Sequence, residues 1–434
     1  MTERVLIRGG TVLSMDRSVG NMATGDVLIE AGTITEVGSK LRARNAETID
    51  ASDCIVMPGF VDTHRHVWHA LFRHAAVSQW PNGVSDFGPH FGADHVYAAT
   101  LVGLLGAVEA GITTVVDWAD IPKDLPATEA ALQAHADAGL RTVFVMSAPG
   151  WEDHPLDPEW VRATITRHTS AGVTFALCPG EPGDVDRTAG DWATARAEGI
   201  RIYTHAGSDP NARGVVARLG ASGLLGDDVT LILGPHLDGG DLDAIVSARA
   251  TVSLAPVADM TSGRGTPPLQ QLIDRRIRPG LGIGSEMESP GDMFAQMRAA
   301  NSVQHATLFD LKLAGKGGVP NLLTTRDVIR YATIDGAVAT GLDGAIGSLT
   351  PGKRGDVIVL RTDRPNIAPV NDPIGAVVWG MDTSNIDWVL VGGRALVRDG
   401  SPTADVARAR KLAAEAQMEV ASASGALSRA VEPT

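Results

Sequence analysis

Two kinds of hydrophobic pattern divide the chain. Over residues 5–57 the apolar runs are short, alternate loosely and break at glycines, as in Val5-Leu6-Ile7-Arg8-Gly9-Gly10 and Gly25-Asp26-Val27-Leu28-Ile29-Glu30. This is the pattern of β-strands joined by turns. From residue 60 the runs become continuously apolar, as in Val229-Thr230-Leu231-Ile232-Leu233. Such runs suit strands buried on both faces of a parallel sheet. They are expected at 60–64, 112–117, 141–147, 173–178, 200–205, 229–235, 250–255 and 278–284. Helical patterns lie between them, at 93–110, 127–139, 158–171 and 241–248 among others. Eight β/α units in roughly 250 residues predict an α/β fold, a (β/α)8 TIM barrel. The Gly-x-Gly-x-x-Gly turn that would favour an open doubly wound sheet is missing.

Beyond the barrel, 327–342 reads as helix, and strand patterns return at 347–360 and 388–394. So few strands cannot bury a face alone. Pairing them with the N-terminal strands predicts a small β-sandwich domain assembled from 1–57 and 345–400, a barrel over 58–344, and a C-terminal helix and tail over 401–434.

Composition narrows the function classes. The net charge of −14, with no basic cluster to offset it, excludes the basic stripe that nucleic-acid binders carry. No apolar run is long enough to span a bilayer, and the start of the chain lacks a signal peptide's apolar core. Two distant cysteines, Cys54 and Cys178, imply no disulfide framework and fit a reducing cytoplasm. The expected partner is a small molecule, with neither nucleic acid nor membrane involved; self-association into a homo-oligomer is left open.

Chemistry gathers at one end of the expected strands. In Pro58-Gly59-Phe60-Val61-Asp62-Thr63-His64-Arg65-His66, the two histidines share one strand face and can aim at one point. A lone His-x-His is common on solvated strands. Here, however, His205 ends the fifth strand, His236 follows the sixth and Glu286 follows the eighth. All face the C-terminal mouth where barrel active sites sit, and such a nitrogen and oxygen set suits a divalent transition metal. The Gly- and Pro-punctuated segment 68–91 has the length of a lid or binding loop. Trp68, His69 and Arg73 from it, with His74, Trp80 and His90, are candidates to shape a substrate pocket, together with Trp118 and Asp120 after the second strand. Glu288 and Asp292 are expected to open the last barrel loop and cap its helix, and His95, His135, His168 and His305 to be solvated on helices.

The opening motif through His66 and the segment Gly347 to Leu360 resemble the two ends of the amidohydrolase superfamily, closest to its chlorohydrolase, cytosine deaminase and guanine deaminase branch. The resemblance implies His64, His66, His205 and Glu286 as metal ligands. It makes Glu286 the proton acceptor and gives His236 the task of steadying the water or the developing oxyanion. The fourth strand ends at Cys178 without a lysine, so one ion is implied, zinc first with iron or manganese as alternatives. Two positions depart from the pattern: Glu286 stands where the family has Asp, and His205-Ala206-Gly207-Ser208 lacks the Glu of the deaminase His-x-x-Glu. The implied activity is hydrolysis of a non-peptide carbon–nitrogen bond in a small cyclic or heteroaromatic substrate through a metal-activated water. The alternatives are deamination or dechlorination of a heterocycle, or a non-hydrolytic lyase, isomerase or binding descendant.

Overall fold

The computed structural model describes residues 4–75, 83–121, 124–149, 156–168, 173–180, 182 and 185–425. Eight parallel strands form the barrel: Phe60–Arg65, Ile112–Ala119, Arg141–Ser147, Val173–Cys178, Arg201–Ala206, Val229–Leu233, Thr251–Leu254 and Gly280–Leu281. Each pairs with its sequence neighbour. The ring closes where Gly284 donates its N–H to the His64 carbonyl at 2.8 Å and accepts from the His66 N–H at 2.9 Å. The strands are almost wholly buried, which accounts for their unbroken apolar character. Among the described residues no helix is long and apolar enough to cross a membrane.

The outer helices show where part of the acidic excess is used. Asp124, Asp157, Asp238 and Asp292 each accept a backbone N–H at the start of Leu125–Ala138, Pro158–Arg167, Gly239–Ala248 and Met293–Leu313. An Asp there satisfies an orphan donor and complements the helix dipole. The helix expected over 327–342 is two, Thr325–Tyr331 and Ile334–Thr340. It breaks at Thr333, whose backbone leaves the helical region while its hydroxyl bonds the Ile329 carbonyl at 2.6 Å. His135 is not solvated: it is buried, with its Nε2 2.7 Å from Asp117 and its Nδ1 2.8 Å from Thr142.

Both chain ends build one nine-stranded, mostly antiparallel sheet, in place of two separately bonded halves of a sandwich. Its centre is the antiparallel pair Cys54–Pro58 and Val357–Arg361, which joins the N-terminal strands to the C-terminal ones. Alternation sorts these side chains into two cores. Cys54, Val56, Val357 and Val359 enter the sheet's own core with Ile7, Ile29 and Trp388, whereas Ile55, Met57, Ile358 and Leu360 pack on the barrel side. A C-terminal helix covers Val406–Ala423; residues 426–434 of the expected tail lie outside the described residues.

Closure allows no side chain at Gly282. A Cβ there would lie 2.7 Å from the His64 carbonyl oxygen and 2.8 Å from its nitrogen, both backbone atoms. Gly282→Ala must therefore push the first and eighth strands apart. It should lower unfolding free energy by about 1–3 kcal/mol, measured by urea denaturation; a variant as stable as the parent would show that this seam is loose.

Candidate metal centre

The first strand carries His64 inward, and His66 follows where the strand ends. The fifth strand presents His205 opposite them. Their rings meet edge to face, with centroids 5.1 Å apart for His64 and His66 and 5.0 Å for His64 and His205. One ligand nitrogen from each lies within 4.8 Å of the others, so the three form a group able to hold a metal ion. Burial, with the neighbouring histidines and Arg264 adding to it, holds His64 well below the ordinary imidazole range. Burial, then His66 and Arg264, take His205 to about 3 against the opposing pull of Asp120. Uncharged imidazoles are the form that ligates metal. The His64 Nδ1 is buried without a hydrogen-bond partner, an orphaned donor set that a divalent ion fits.

Several residues expected to touch substrate instead support these histidines. Trp118 lies against all three, with centroids 5.0 Å from His64, 4.7 Å from His205 and 6.0 Å from His66, and its indole is buried in the barrel interior. Asp120 accepts from the Trp68 Nε1 at 2.7 Å and lies 3.0 Å from the His66 Nδ1. Burial alone would raise the Asp120 carboxyl; the nearby His66 and His69 and the bonds from His66 and Trp68 outweigh it and hold the group at about 2. His69 stacks on His66 at 4.6 Å and reaches the Ser285 hydroxyl at 2.9 Å. Burial brings His69 to about 3. The 68–91 segment, as far as it is described, packs inward: Trp68, Phe72, Phe87 and Phe91 form one aromatic cluster, and His74 and His90 are exposed. Trp80 lies outside the described residues. Trp68, His69, Arg73, Trp118 and Asp120 do not line the cavity beside the three histidines.

Glu286 also departs from expectation. Its carboxylate is buried between two guanidinium groups, with Oε1 2.5 Å from Arg65 and Oε2 bonded to the Arg73 Nε, and it does not join the three-histidine group able to hold an ion. The reason lies in the first strand. Side chains alternate, so Arg65, between two inward histidines, enters the layer behind the barrel. It is fully buried there, with Asp62 at 3.3 Å on one side and Glu286 on the other. Burial opposes ionisation of Glu286, but Arg65 and Arg73 prevail and hold its pKa below the ordinary value. His236 is half-buried; its backbone N–H bonds the Gly207 carbonyl at 2.9 Å, and the cavity is lined by Ile232, Leu233 and Gly234, which precede it.

The cavity, of about 220 Å³, is lined by His64, His66 and His205 together with Asp259, Arg264 and Glu288, and by Ser208 and Ser285. Glu288 thus faces the site, while Asp292 is the helix cap. Asp259 and Arg264 follow the seventh strand, a position every barrel exposes at its mouth, and nothing in their local sequence marks them further.

A model of the amidohydrolase family matches residues 55–396, most of the chain. The chain belongs to the amidohydrolase family. Amidohydrolases of this kind are metal-dependent hydrolases of carbon–nitrogen bonds other than peptide bonds, and this chain is one of them. It is similar to the 5'-deoxyadenosine deaminase of Methanothermobacter thermautotrophicus, 28% identical over 422 residues that cover 92% of this chain and 94% of the relative. It is also similar to a 5-methylthioadenosine/S-adenosylhomocysteine deaminase of Halobacterium salinarum, 28% identical over 98% of this chain and the whole relative. The fold matches that of an adenosine deaminase from Xanthomonas campestris with bound zinc, at a TM-score of 0.84 and 17% identity over 96% of this chain and 98% of that one.

Glu286→Gln should leave Arg65 buried with half its counter-charge and cost about 3–5 kcal/mol of stability. The pH dependence has a definite sign. Glu286 is depressed in the folded state, so its contribution is complete above the ordinary value of 4.5 and is lost as the pH falls through the lower folded value. The gap between parent and variant should therefore narrow on acidification, in denaturation curves recorded from neutral pH downward. An unchanged stability at neutral pH would remove Glu286 from this structural role.

Proposed function

We propose that this amidohydrolase removes the exocyclic amino group of a small nitrogen heterocycle, with one zinc ion held by His64, His66 and His205 and a cytoplasmic setting. The observation that carries this reading is the convergence of three imidazoles on a small cavity at the barrel mouth. A divalent ion bound there would supply Lewis acidity and lower the pKa of a water molecule toward neutrality. The protein's own groups do the rest. Asp120 takes the Nδ1 side of His66 and so directs its Nε2 toward the other two histidines. Trp118 closes the floor beneath the ring nitrogens and keeps bulk water from that side. Ser208, Ser285, Arg264 and Glu288 supply polar contacts to fix a substrate's orientation. A cavity of about 220 Å³ suits a ring or fused bicycle at its reacting end. Deamination is preferred to the other carbon–nitrogen hydrolyses because curated relatives matching over nine-tenths of the chain carry deaminase names.

Elemental analysis of protein never exposed to chelator should find about one zinc per chain. The double variant His64→Ala, His66→Ala should lose it while keeping the parent's circular dichroism. In a turnover panel, aminated purines, pteridines, pyrimidines and triazines should be hydrolysed with release of ammonia. Turnover confined to cyclic amides or ureas would retain the hydrolase and reject the deaminase; a metal-free parent would reject both.

A further inference from the structure

Deamination of a heteroaromatic ring needs a proton at the ring nitrogen next to the attacked carbon, and the segment His205-Ala206-Gly207-Ser208 has no acid to give it. We infer that Asp259, delivered to the same cavity by the helix Pro256–Thr261, is the proton donor to the ring nitrogen. This rests on the deaminase reading above.

The geometry begins with the short helix Pro256–Thr261, which follows the seventh strand directly. Its Ala258 and Asp259 are buried, while Met260 beyond them is exposed, so the helix turns Asp259 toward the barrel. Asp259 is only 4% exposed and lines the same cavity as His64, His66 and His205. Its Oδ2 is buried and has no hydrogen-bond partner, the condition of an acceptor or donor kept for something that enters. Its other oxygen is 3.8 Å from Arg264, too far for a hydrogen bond, and Arg264 leans also toward Glu288 at 3.9 Å. The charged groups acting on Asp259 are thus Arg264 from its own loop and Glu288 from the loop after the eighth strand. Burial raises the carboxyl, Arg264 opposes this, Glu288 adds to it, and the group settles at about 7. A carboxyl of that kind carries its proton in a good fraction of molecules at neutral pH and can release it in turnover.

The step balances as follows. As a water oxygen bonds to the ring carbon, the carbon–nitrogen π bond opens and its electron pair takes the Asp259 proton at the ring nitrogen. The water's displaced proton goes to the exocyclic amine. The exocyclic carbon–nitrogen bond then breaks, ammonia leaves with the electron pair, the ring double bond re-forms, and the ring-nitrogen proton returns to the Asp259 carboxylate. Water and aminated ring become hydroxylated ring and ammonia, with Asp259 restored.

The test compares the metal-loaded parent with Asp259→Asn and Asp259→Glu on the aminated heterocycle that the parent turns over best. Asp259→Asn should lower kcat by about 10²–10⁴-fold, with KM little changed, and should erase the basic limb near pH 7 from the parent's kcat/KM profile. Asp259→Glu should recover part of the rate. An N-methylated form of the same ring, already cationic, should be hydrolysed by Asp259→Asn at close to the parent's rate. Misfolding is checked by denaturation: a carboxyl raised on folding costs stability once ionised, so Asp259→Asn should be at least as stable as the parent above pH 7. An active parent with an equally active Asp259→Asn overturns this inference and leaves the deaminase reading standing. A parent inactive on every aminated ring overturns the deaminase reading, and the assignment of Asp259 falls with it.

Discussion

A chain of alternating charge, Asp62–Arg65–Glu286–Arg73, buried except at the half-buried Arg73, holds the barrel's closing seam, and the histidine site depends on it. The seam needs help because the eighth strand is only Gly280–Leu281, too short to lock the register by its own ladder. Asp62 adds to the clamp, accepting the Ile283 N–H at 3.1 Å as well as contacting Arg65. Buried ions carry a desolvation cost that only close partners offset, so each member holds the next in place. Arg65 lies between His64 and His66 in sequence, and whatever fixes its guanidinium fixes the backbone from which both imidazoles project.

The histidines in turn are oriented by neighbours that bond to their rings or to the rings beside them. Asp120 ties His66 to Trp68, and Ser285 ties His69 to the eighth-strand loop. Asp117 accepts the Val67 N–H at 3.3 Å while bonded to His135 of the helix Leu125–Ala138, so this buried pair steadies the turn after His66. The cavity's lining thus joins three imidazoles to a mixed Asp, Arg and Glu group.

The barrel was legible because parallel strands buried on both faces must be continuously apolar, and each of the eight runs is a strand. The three histidines were legible because barrel topology sends every strand end to the same mouth. Glu286 was harder: past Leu281 the chain is no longer a strand, so alternation could not say which way the carboxylate points. Arg65 nonetheless carried a readable signal, since a charge between two inward residues must find a buried counter-charge. His135 carried one too, lying on the apolar face of its helix with Ala127, Ala131, Ala134 and Ala138. Asp259 had none beyond its position after a strand, because its burial follows from a six-residue helix that no periodicity announces.

The strand Cys54–Pro58 leads through a single glycine into the strand that bears His64. Its partner on one side is Val357–Arg361, separated from it by the whole barrel sequence. During synthesis that edge has no partner until nearly the entire barrel has emerged, and an open strand edge invites pairing with other chains. The emerging polypeptide must therefore shield Cys54–Pro58 through most of translation, and a ribosome stalled anywhere in the barrel would release a product with an adhesive edge beside its own half-built centre.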